Sequence, residues 1–293
     1  MNKSTNLRGI IWLASYPKSG NTWTRNFLHN LINVMAGENP DTHDINQMNH
    51  MSTWEISGKP YEKLLGKKLK LCTREEIASV RHEVQKNIAE NANGLAFVKT
   101  HHALVMDRQK PTINFDITCG AIYIVRNPLD VAISFSHHMN TTIDGAIEQM
   151  AIEGLETPVN EKSVYEVYSS WSHHVESWTR KQQRTMYIMR YEDMLSDPEQ
   201  TFLGLARHLL LEPSDQQLQT TIDLSSFEKL QTQETEKGFK EKPKDSKRFF
   251  RSGKANQWQD ELSDQQIEQI VKVHHKQMER FNYYPLTATK NNS

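Results

Sequence analysis

The segment at residues 9–23 constrains the fold of this 293-residue chain more than any other part of its sequence. It opens with the apolar run Gly-Ile-Ile-Trp-Leu-Ala and then reaches a Pro and a Gly, which predicts a buried strand followed by a tight turn. Apolar side chains then recur at helical spacing, at Trp23, Phe27, Leu28, Leu31 and Val34. The segment therefore predicts a strand, a loop of small residues and a helix.

The loop at residues 15–23 predicts a binding site for an anion. A strand–loop–helix unit directs backbone N–H groups and the positive end of a helix dipole toward one point. Lys18 adds a positive charge, and the hydroxyls of Ser19 and Thr22 add hydrogen-bond donors. The loop is not a Walker A motif, because its Lys precedes Gly20 and no Gly-Lys-Ser/Thr sequence follows.

Composition narrows the class of protein. A formal net charge of −1 gives no bias toward nucleic acid or an anionic membrane, and a hydrophobic fraction of 37% is adequate for a globular core. The apolar stretch near the N-terminus is too short for a signal sequence or a membrane span. Cys72 and Cys119 are distant in sequence and are expected to be free thiols, so we expect a cytoplasmic protein.

Short β-branched or aromatic runs alternate with helical patterns along the chain. Strands are predicted at residues 10–14, 95–98, 121–125 and 185–189, and helices at 73–91, 161–183, 199–210 and 260–281. This alternation predicts an α/β fold with a central parallel sheet flanked by helices. We expect a single domain over residues 1–293, with its core at about 9–281 and flexible termini. Residues 36–66 break the pattern and are expected to form an irregular excursion from the sheet.

A second motif follows the strand pattern at residues 121–125. The strand pattern ends at Arg126, and Asn-Pro then predicts the start of a helix that carries Ser134 two turns further on. The planar guanidinium of Arg126 and the hydroxyl of Ser134 could converge on one phosphate. A P-loop NTPase would need an acidic residue at this strand end for Mg²⁺, so the arginine argues against hydrolysis of ATP or GTP.

His101 is the candidate general base. It ends the sequence Lys-Thr-His that follows another apolar run, and the ordinary pKa of histidine lies nearest to neutral pH. Lys99 could add positive charge near the reacting group. The adjacent His102 would point elsewhere on an extended backbone. Other pairs of adjacent histidines lack the spacing of metal ligands, so we expect no metal site.

These segments resemble the sulfotransferases that use 3′-phosphoadenosine 5′-phosphosulfate (PAPS) as the donor. Pro-Lys-Ser-Gly-Asn-Thr-Trp at residues 17–23 is similar to the family's 5′-phosphosulfate loop. Arg-Asn-Pro-x-Asp-x-x-x-Ser at 126–134 is similar to its 3′-phosphate element, and Lys-Thr-His at 99–101 to the segment that carries its catalytic base. The resemblance covers about residues 10–258 and implies a P-loop-like nucleotide-binding architecture.

The resemblance continues in the C-terminal third of the chain. Phe-Phe-Arg-Ser-Gly at residues 249–253 resembles the family's clamp on the 3′-phosphate, although Ser252 replaces the usual Lys and removes one positive charge. Tyr191 lies in a segment that matches one near the adenine. Phe227 matches an aromatic residue that stacks on the base, with Trp23 on the opposite face.

The resemblance implies transfer of a sulfuryl group from PAPS to the hydroxyl of a small phenol or alcohol, which leaves 3′-phosphoadenosine 5′-phosphate (PAP). It implies that His101 takes the acceptor proton while Lys18 and Lys99 stabilise developing charge. The residues implied to bind the nucleotide are Lys18, Ser19, Gly20, Asn21, Thr22, Trp23, Arg126, Ser134, Tyr191, Phe227, Phe250, Arg251, Ser252 and Gly253. No metal is implied, because Lys, backbone amides and a helix dipole supply the positive field.

Several alternatives remain open on sequence alone. A P-loop small-molecule kinase and a catalytically silent nucleotide-binding protein are the competing functions. Residues 36–66, with Met48, Met51 and Trp54, and residues 137–160 are candidate walls of the acceptor pocket. The dimer motif of the sulfotransferases is not visible in the C-terminal residues, so both a monomer and a homodimer are compatible with the sequence.

Overall fold

In the computed structural model, which describes residues 8–181, 183–242 and 248–283, strands and helices alternate along much of the chain. The strands are β1 (Gly9–Ser15), β2 (Ser52–Trp54), β3 (Leu95–Thr100), β4 (Met106–Asp107), β5 (Lys110–Pro111), β6 (Thr118–Val125) and β7 (Met186–Arg190). The helices are α1 (Asn21–Met35), α2 (Gly58–Leu65), α3 (Arg74–Asn91), α4 (Pro128–Met139), α5 (Ile143–Ala151), α6 (Trp171–Thr179), α7 (Tyr191–Ser196), α8 (Pro198–His208), α9 (Asp215–Leu224), α10 (Phe227–Lys237), α11 (Trp258–Glu261) and α12 (Asp264–Arg280). The termini that the sequence predicts to be flexible, residues 1–7 and 284–293, lie outside the described residues.

The main sheet has five parallel strands in the order β2-β3-β1-β6-β7. Its central strand is β1, in which Trp12 pairs with Val98 on one side and with Ala121 on the other. Every residue of β1 is buried, which explains why the strand is a continuous apolar run rather than an alternating one. The predicted α/β fold with a central parallel sheet is confirmed.

Helices cover both faces of the sheet. Successive side chains of β1 enter different cores: Trp12 packs in a cluster with Trp171 of α6, whereas Leu13 packs in a cluster with Phe27 of α1. Pro128 at the first turn and the Asn127 side chain, which accepts a hydrogen bond from the Leu129 N–H, fix the start of α4. None of the described helices is long and apolar enough to cross a membrane.

Two sequence-based predictions of local structure are wrong. The helix predicted at residues 161–183 is confined to α6, because the Ser170 hydroxyl caps its start by accepting the His173 N–H. Residues 36–66 do not simply leave the sheet, since β2 pairs in parallel with β3 and forms one edge of it. A strand of three residues is too short to show periodicity in the sequence.

The carboxyl ends of four parallel strands meet at one edge of the sheet. These strand ends are Ser15, Thr100, Val125 and Arg190. These strand ends lead to the loop at residues 17–23, to His101, to Arg126 and to Tyr191. We call residues 17–23 the phosphate loop, after the anion that the sequence predicts it to bind. From β1 the chain builds the sheet in opposite directions, with β3 and β2 on one side and β6 and β7 on the other, so β1 lies at the switch point where open α/β sheets bind ligands.

Candidate active site

A cavity of about 350 Å³ lies at this edge of the sheet. The sequence-predicted site residues that line it are Lys18, Gly20, Asn21, Thr22, Trp23, Lys99, His101, Arg126, Ser134, Tyr191, Phe227, Phe250, Arg251, Ser252 and Gly253. Ser19 differs from them, because its side chain is fully buried and its hydroxyl has no hydrogen-bond partner among the described residues. The fold thus brings together motifs from the N-terminal and C-terminal parts of the sequence, from Lys18 to Gly253.

Backbone conformation and one side-chain amide fix the shape of the phosphate loop. Gly20 has a φ of +105°, and a Cβ at this position would lie 2.8 Å from the ring of Tyr191. Asn21 donates from Nδ2 to the Leu13 carbonyl over 2.8 Å, which ties the start of α1 to β1. Lys18 itself adopts a φ of +67°. The loop therefore needs glycine where the helix begins and brings the backbone close to an aromatic wall.

Lys18 directs its ammonium group into the cavity. Its Nζ atom lies 4.5 Å from the centroid of the Phe249 ring, a cation–π distance. Burial lowers the pKa of Lys18 to about 8, and the nearby charges of Arg126, Lys99 and Arg251 act in the same direction. A cation whose pKa is lowered by other cations marks a site that is arranged for negative charge.

Arg126 bridges the phosphate loop and the C-terminal part of the site. It donates to the Lys18 carbonyl over 3.0 Å and to the Lys254 carbonyl over 3.2 Å. Its guanidinium carbon lies 4.2 Å from the centroid of the Tyr191 ring. The Nε atom is buried and has no hydrogen-bond partner within the described residues. One donor of this cation is therefore left for a further acceptor.

Carboxylates hold the segment at residues 249–258 over the cavity. Glu234 of α10 accepts hydrogen bonds from the N–H groups of Phe249, at 2.7 Å, and Phe250, at 2.9 Å. Asp130 of α4 accepts from the N–H groups of Asn256, at 2.7 Å, and Trp258, at 3.1 Å. These buried contacts anchor the segment on two different helices.

Gly253 and Arg251 occupy different environments in this segment. Gly253 has a φ of +63°, and a Cβ would lie 2.3 Å from the Phe227 ring, so only glycine fits against this aromatic face. Arg251 is exposed and donates to Gln257 Oε1 over 3.1 Å. Its guanidinium also lies 3.7 Å from a carboxylate oxygen of Glu261.

The His101 ring has a defined tautomer. Its Nδ1 lies 2.7 Å from the Ser15 carbonyl, which can only accept, so Nδ1 carries the proton and Nε2 keeps its lone pair. Burial and the charge of Lys99 hold the pKa of His101 well below 6.5, so the ring is neutral near pH 7. The His101 backbone N–H donates to Glu166 Oε1 over 2.8 Å, which fixes the backbone at the end of β3.

His102 faces away from the cavity. Its Nδ1 accepts a hydrogen bond from the Val167 N–H over 3.0 Å, and the side chain is fully buried. The preference for His101 over its neighbour therefore agrees with the directions of the two rings.

Sequence reasoning missed part of the cavity wall. Glu166, Tyr168 and Glu241 line the cavity, although no motif contains them. The cavity is also lined by Phe249 of the motif at 249–253, and by His138, Thr157, Pro158 and Asn160 of the candidate region 137–160. Glu166 and Tyr168 were hidden because their segment has the hydropathy of a helix in the sequence but is not helical.

The candidate region 36–66 contributes only in part. Trp54 lines the cavity, as the sequence suggested. Met48 instead is fully buried in a cluster with Leu230 and Phe250, and Met51 packs against the cluster that contains Leu13. Within the described residues, no group of three or more His, Cys, Asp or Glu side chains could hold a metal ion.

Comparison with known proteins identifies the family. The pattern that defines the sulfotransferase domain matches residues 9–282. A flavonol 3-sulfotransferase from Flaveria bidentis is 25% identical over 278 residues, which cover 90% of this chain and 80% of that protein. A sulfotransferase 1B1 from Canis lupus familiaris is 25% identical over 277 residues, which cover 92% of this chain and 83% of that protein.

The fold is also similar to that of a solved protein. A retinol dehydratase in a complex with retinol and PAP superposes with a TM-score of 0.62 at 21% identity, over 93% of this chain and 82% of that one. The chain belongs to the sulfotransferase family, and the family assignment rests on nearly its whole length. The sequence-based prediction of a sulfotransferase enzyme is confirmed.

Proposed function

We propose that this enzyme transfers a sulfuryl group from PAPS to a hydroxyl of a small-molecule acceptor. One observation carries the proposal: the unprotonated Nε2 of His101 and the ammonium of Lys18 belong to the same cavity as the phosphate loop. A base and a cation at one end of an anion site are what transfer of a charged group to a hydroxyl requires.

The nucleotide half of the cavity has features that fit PAP. Glycines at positions 20 and 253 let the backbone approach aromatic rings that a Cβ would displace. Trp23 and Phe227 supply flat faces on which an adenine could stack. Arg126 has an unpartnered donor, and Arg251 and Ser134 line the same cavity, so together they suit the 3′-phosphate that distinguishes PAPS from ATP.

His101 acts as the general base in this proposal. When the acceptor oxygen forms its bond to sulfur, its proton passes to the Nε2 of His101, while the bond from sulfur to the bridging phosphate oxygen breaks. The hydrogen bond from Nδ1 to the Ser15 carbonyl stabilises the imidazolium that results. Burial lowers the pKa of His101, so the ring is unprotonated near pH 7 and its Nε2 is available when the acceptor gives up its proton.

Lys18 and Lys99 supply positive charge in place of a metal ion. Lys18 lies within the loop that would hold the 5′-phosphosulfate, so it can stabilise charge on the bridging oxygen as it leaves. Lys99 lies two residues before the base, and its side chain also lines the cavity. Both ammonium groups are largely buried, where their electrostatic effect is stronger than in water.

The acceptor would occupy the part of the cavity between Trp54, His138 and Tyr168. The name of the Flaveria relative gives a flavonol, a hydroxylated small molecule, as its acceptor, and this supports an acceptor of similar size.

We propose a single domain for the chain. Its cytoplasmic location and its monomeric or dimeric state stay predictions.

Two measurements test the proposed function. Thermal unfolding should shift upward with PAP and not with Mg²⁺-ATP, whereas stabilisation by ATP alone would support the kinase alternative. Turnover should then be measured with labelled PAPS and a panel of phenols, alcohols and sugars. Stabilisation by PAP without transfer to any acceptor in the panel would favour the catalytically silent alternative.

A further inference from the structure

A buried group of charges forms part of the cavity wall beyond the nucleotide motifs. Glu241 lies in the segment after α10, lines the cavity and has a side chain only 8% exposed. Arg25 of α1 donates from Nη1 to Glu241 Oε2 over 2.9 Å, and its Nη2 lies 2.9 Å from Oε1. The Nζ atom of Lys99 lies 3.9 Å from the same Oε2 atom. The Glu241 carboxylate is therefore the counter-ion of both Arg25 and Lys99.

Arg25 is fixed by further contacts on the sheet edge. It donates from Nε to the Ser52 hydroxyl over 2.8 Å and from Nη2 to Asn49 Oδ1 over 2.7 Å. The Arg25 side chain is fully buried. A planar guanidinium held by three side chains sets the position of the carboxylate, to which it donates one hydrogen bond and with which it forms an ion pair.

We propose that Glu241 is a positioning residue that keeps Lys99 protonated beside the reacting group, and that Arg25 holds Glu241 in this position. The inference rests on the proposed function, which gives the Lys99 charge its role in sulfuryl transfer. It assigns a task to two side chains that none of the nucleotide-binding motifs contains.

The surroundings of Lys99 explain why it needs a counter-ion. The side chain is 14% exposed, and its Nζ lies 4.1 Å from the centroid of the Trp54 ring of β2. Burial lowers the pKa of Lys99 to about 8; Glu241 and Glu166 oppose this decrease, whereas Arg25 adds to it. Loss of the Glu241 charge would therefore lower the pKa further, and loss of the Arg25 charge would raise it.

The charge of Lys99 also lowers the pKa values of other groups in the cavity. It contributes to the lowered pKa values of Lys18, His101 and His138. A protonated Lys99 thus stabilises charge on the donor side and helps to keep His101 neutral as the base. A deprotonated Lys99 would weaken both effects.

The first test titrates Lys99 directly in the protein without nucleotide. Only an unprotonated amine reacts with acetic anhydride, so brief labelling over a pH series, with the Lys99 peptide quantified by mass spectrometry, reports its protonation. The labelling midpoint should lie near pH 8 in the unchanged protein. It should move down by about one pH unit in Glu241→Gln. It should move upward in Arg25→Gln, because this variant removes a positive charge near Lys99 while its amide still donates to Glu241 and keeps the carboxylate in place.

The second test follows turnover of PAPS over the same pH series. The alkaline loss of kcat should begin at lower pH in Glu241→Gln, and combination with Lys99→Arg should remove this shift, because arginine stays charged. In the variants that carry Lys99→Arg, the remaining decrease of kcat at alkaline pH reports the deprotonation of Lys18. Glu241→Asp should stay close to the unchanged protein, and Glu236→Gln, which removes the same charge from the exposed side of α10, should not shift the midpoint.

The outcomes separate this inference from the proposed function. Opposite shifts in the Glu241 and Arg25 variants, in proteins whose thermal unfolding remains cooperative, would support the inference, since a purely structural contact would not titrate Lys99. If the Glu241→Gln protein does not fold, the upward shift of the Lys99 midpoint in Arg25→Gln still tests the inference. If the labelling midpoint of Lys99 is the same in the Glu241 and Arg25 variants as in the unchanged protein, the inference is overturned even if the enzyme turns over PAPS. If the midpoint shifts as expected but no turnover is found, only the proposed function is overturned.

Discussion

His101 donates its Nδ1–H to the backbone carbonyl of Ser15 over 2.7 Å. The two residues lie at the ends of neighbouring parallel strands, so the pairing of β1 with β3 sets the direction of the imidazole. A backbone carbonyl in a sheet cannot rotate away as a side chain can, so the Ser15 oxygen stays directed at Nδ1 of His101. The sheet itself therefore fixes which nitrogen of His101 can accept a proton.

Replacement of His101 should abolish most of the turnover without loss of nucleotide binding. We expect His101→Ala to lower kcat by about 10²–10⁴-fold, the usual contribution of a positioned general base. PAP affinity, measured by calorimetry, should change little. His275→Ala on the exposed side of α12 is the matched control, and it should retain full turnover. Unchanged kcat in His101→Ala would exclude His101 as the base.

Turnover should not decrease near pH 6.5, as it would if the general base were a histidine with its ordinary pKa. His101 must be unprotonated, and its pKa lies well below 6.5, so kcat/KM should stay level as the pH falls from about 7.5 to about 6.5. Lys18 and Lys99 must be protonated, and their pKa values are about 8, so activity should decrease above that pH. Circular dichroism over the same range controls for unfolding. Half-maximal activity near pH 6.5 would contradict a lowered pKa for His101.

A methyl group at position 253 should weaken nucleotide binding. The Cβ of Gly253→Ala would lie 2.3 Å from the Phe227 ring and would displace the face proposed for the adenine, so we expect PAP affinity to decrease about tenfold or more. Gly66→Ala is the matched control, because Gly66 has a φ of +67° and no atom within 4 Å of an added Cβ. Both variants should lose about 1–2 kcal/mol of stability from the left-handed backbone. Equal PAP affinities in the two proteins would argue against a role for Phe227.

Glu234 should couple the stability of the C-terminal segment to nucleotide binding. Glu234→Gln replaces one acceptor by an NH₂ group and leaves the N–H of Phe249 or Phe250 without its partner, at a cost of about 1–3 kcal/mol. We expect a lower free energy of unfolding in urea and weaker PAP binding. Glu236→Gln on the exposed side of the same helix should change the free energy of unfolding by less than about 0.5 kcal/mol. Wild-type PAP affinity in Glu234→Gln would show that the segment does not depend on this contact.

Local sequence predicted the elements that carry the strongest motifs. The apolar run at β1 and the Pro and Gly that follow it predicted a strand, a turn and then α1. The Arg-Asn-Pro sequence predicted the start of α4. The predicted bounds lie within a few residues of the observed ones. These signals are local, because a buried strand must be apolar throughout and a helix start needs a suitable cap. The helix prediction failed at residues 161–170 for the opposite reason. The apolar spacing there fits a helix, but isolated β-bridges pair Ser163 with Ser57 and Val167 with Glu156.

The sequence alone predicted an anion-binding loop at the start of a helix, and it contains an arginine where a P-loop NTPase would have an acidic residue and a histidine after a strand. Only the tertiary structure decided that these groups share one cavity and that Glu241 and Arg25 lie beside Lys99. The physical reason is that motif chemistry is carried by residues close in sequence, whereas the tautomer of a buried ring and the pKa of a buried amine depend on atoms from distant strands and helices.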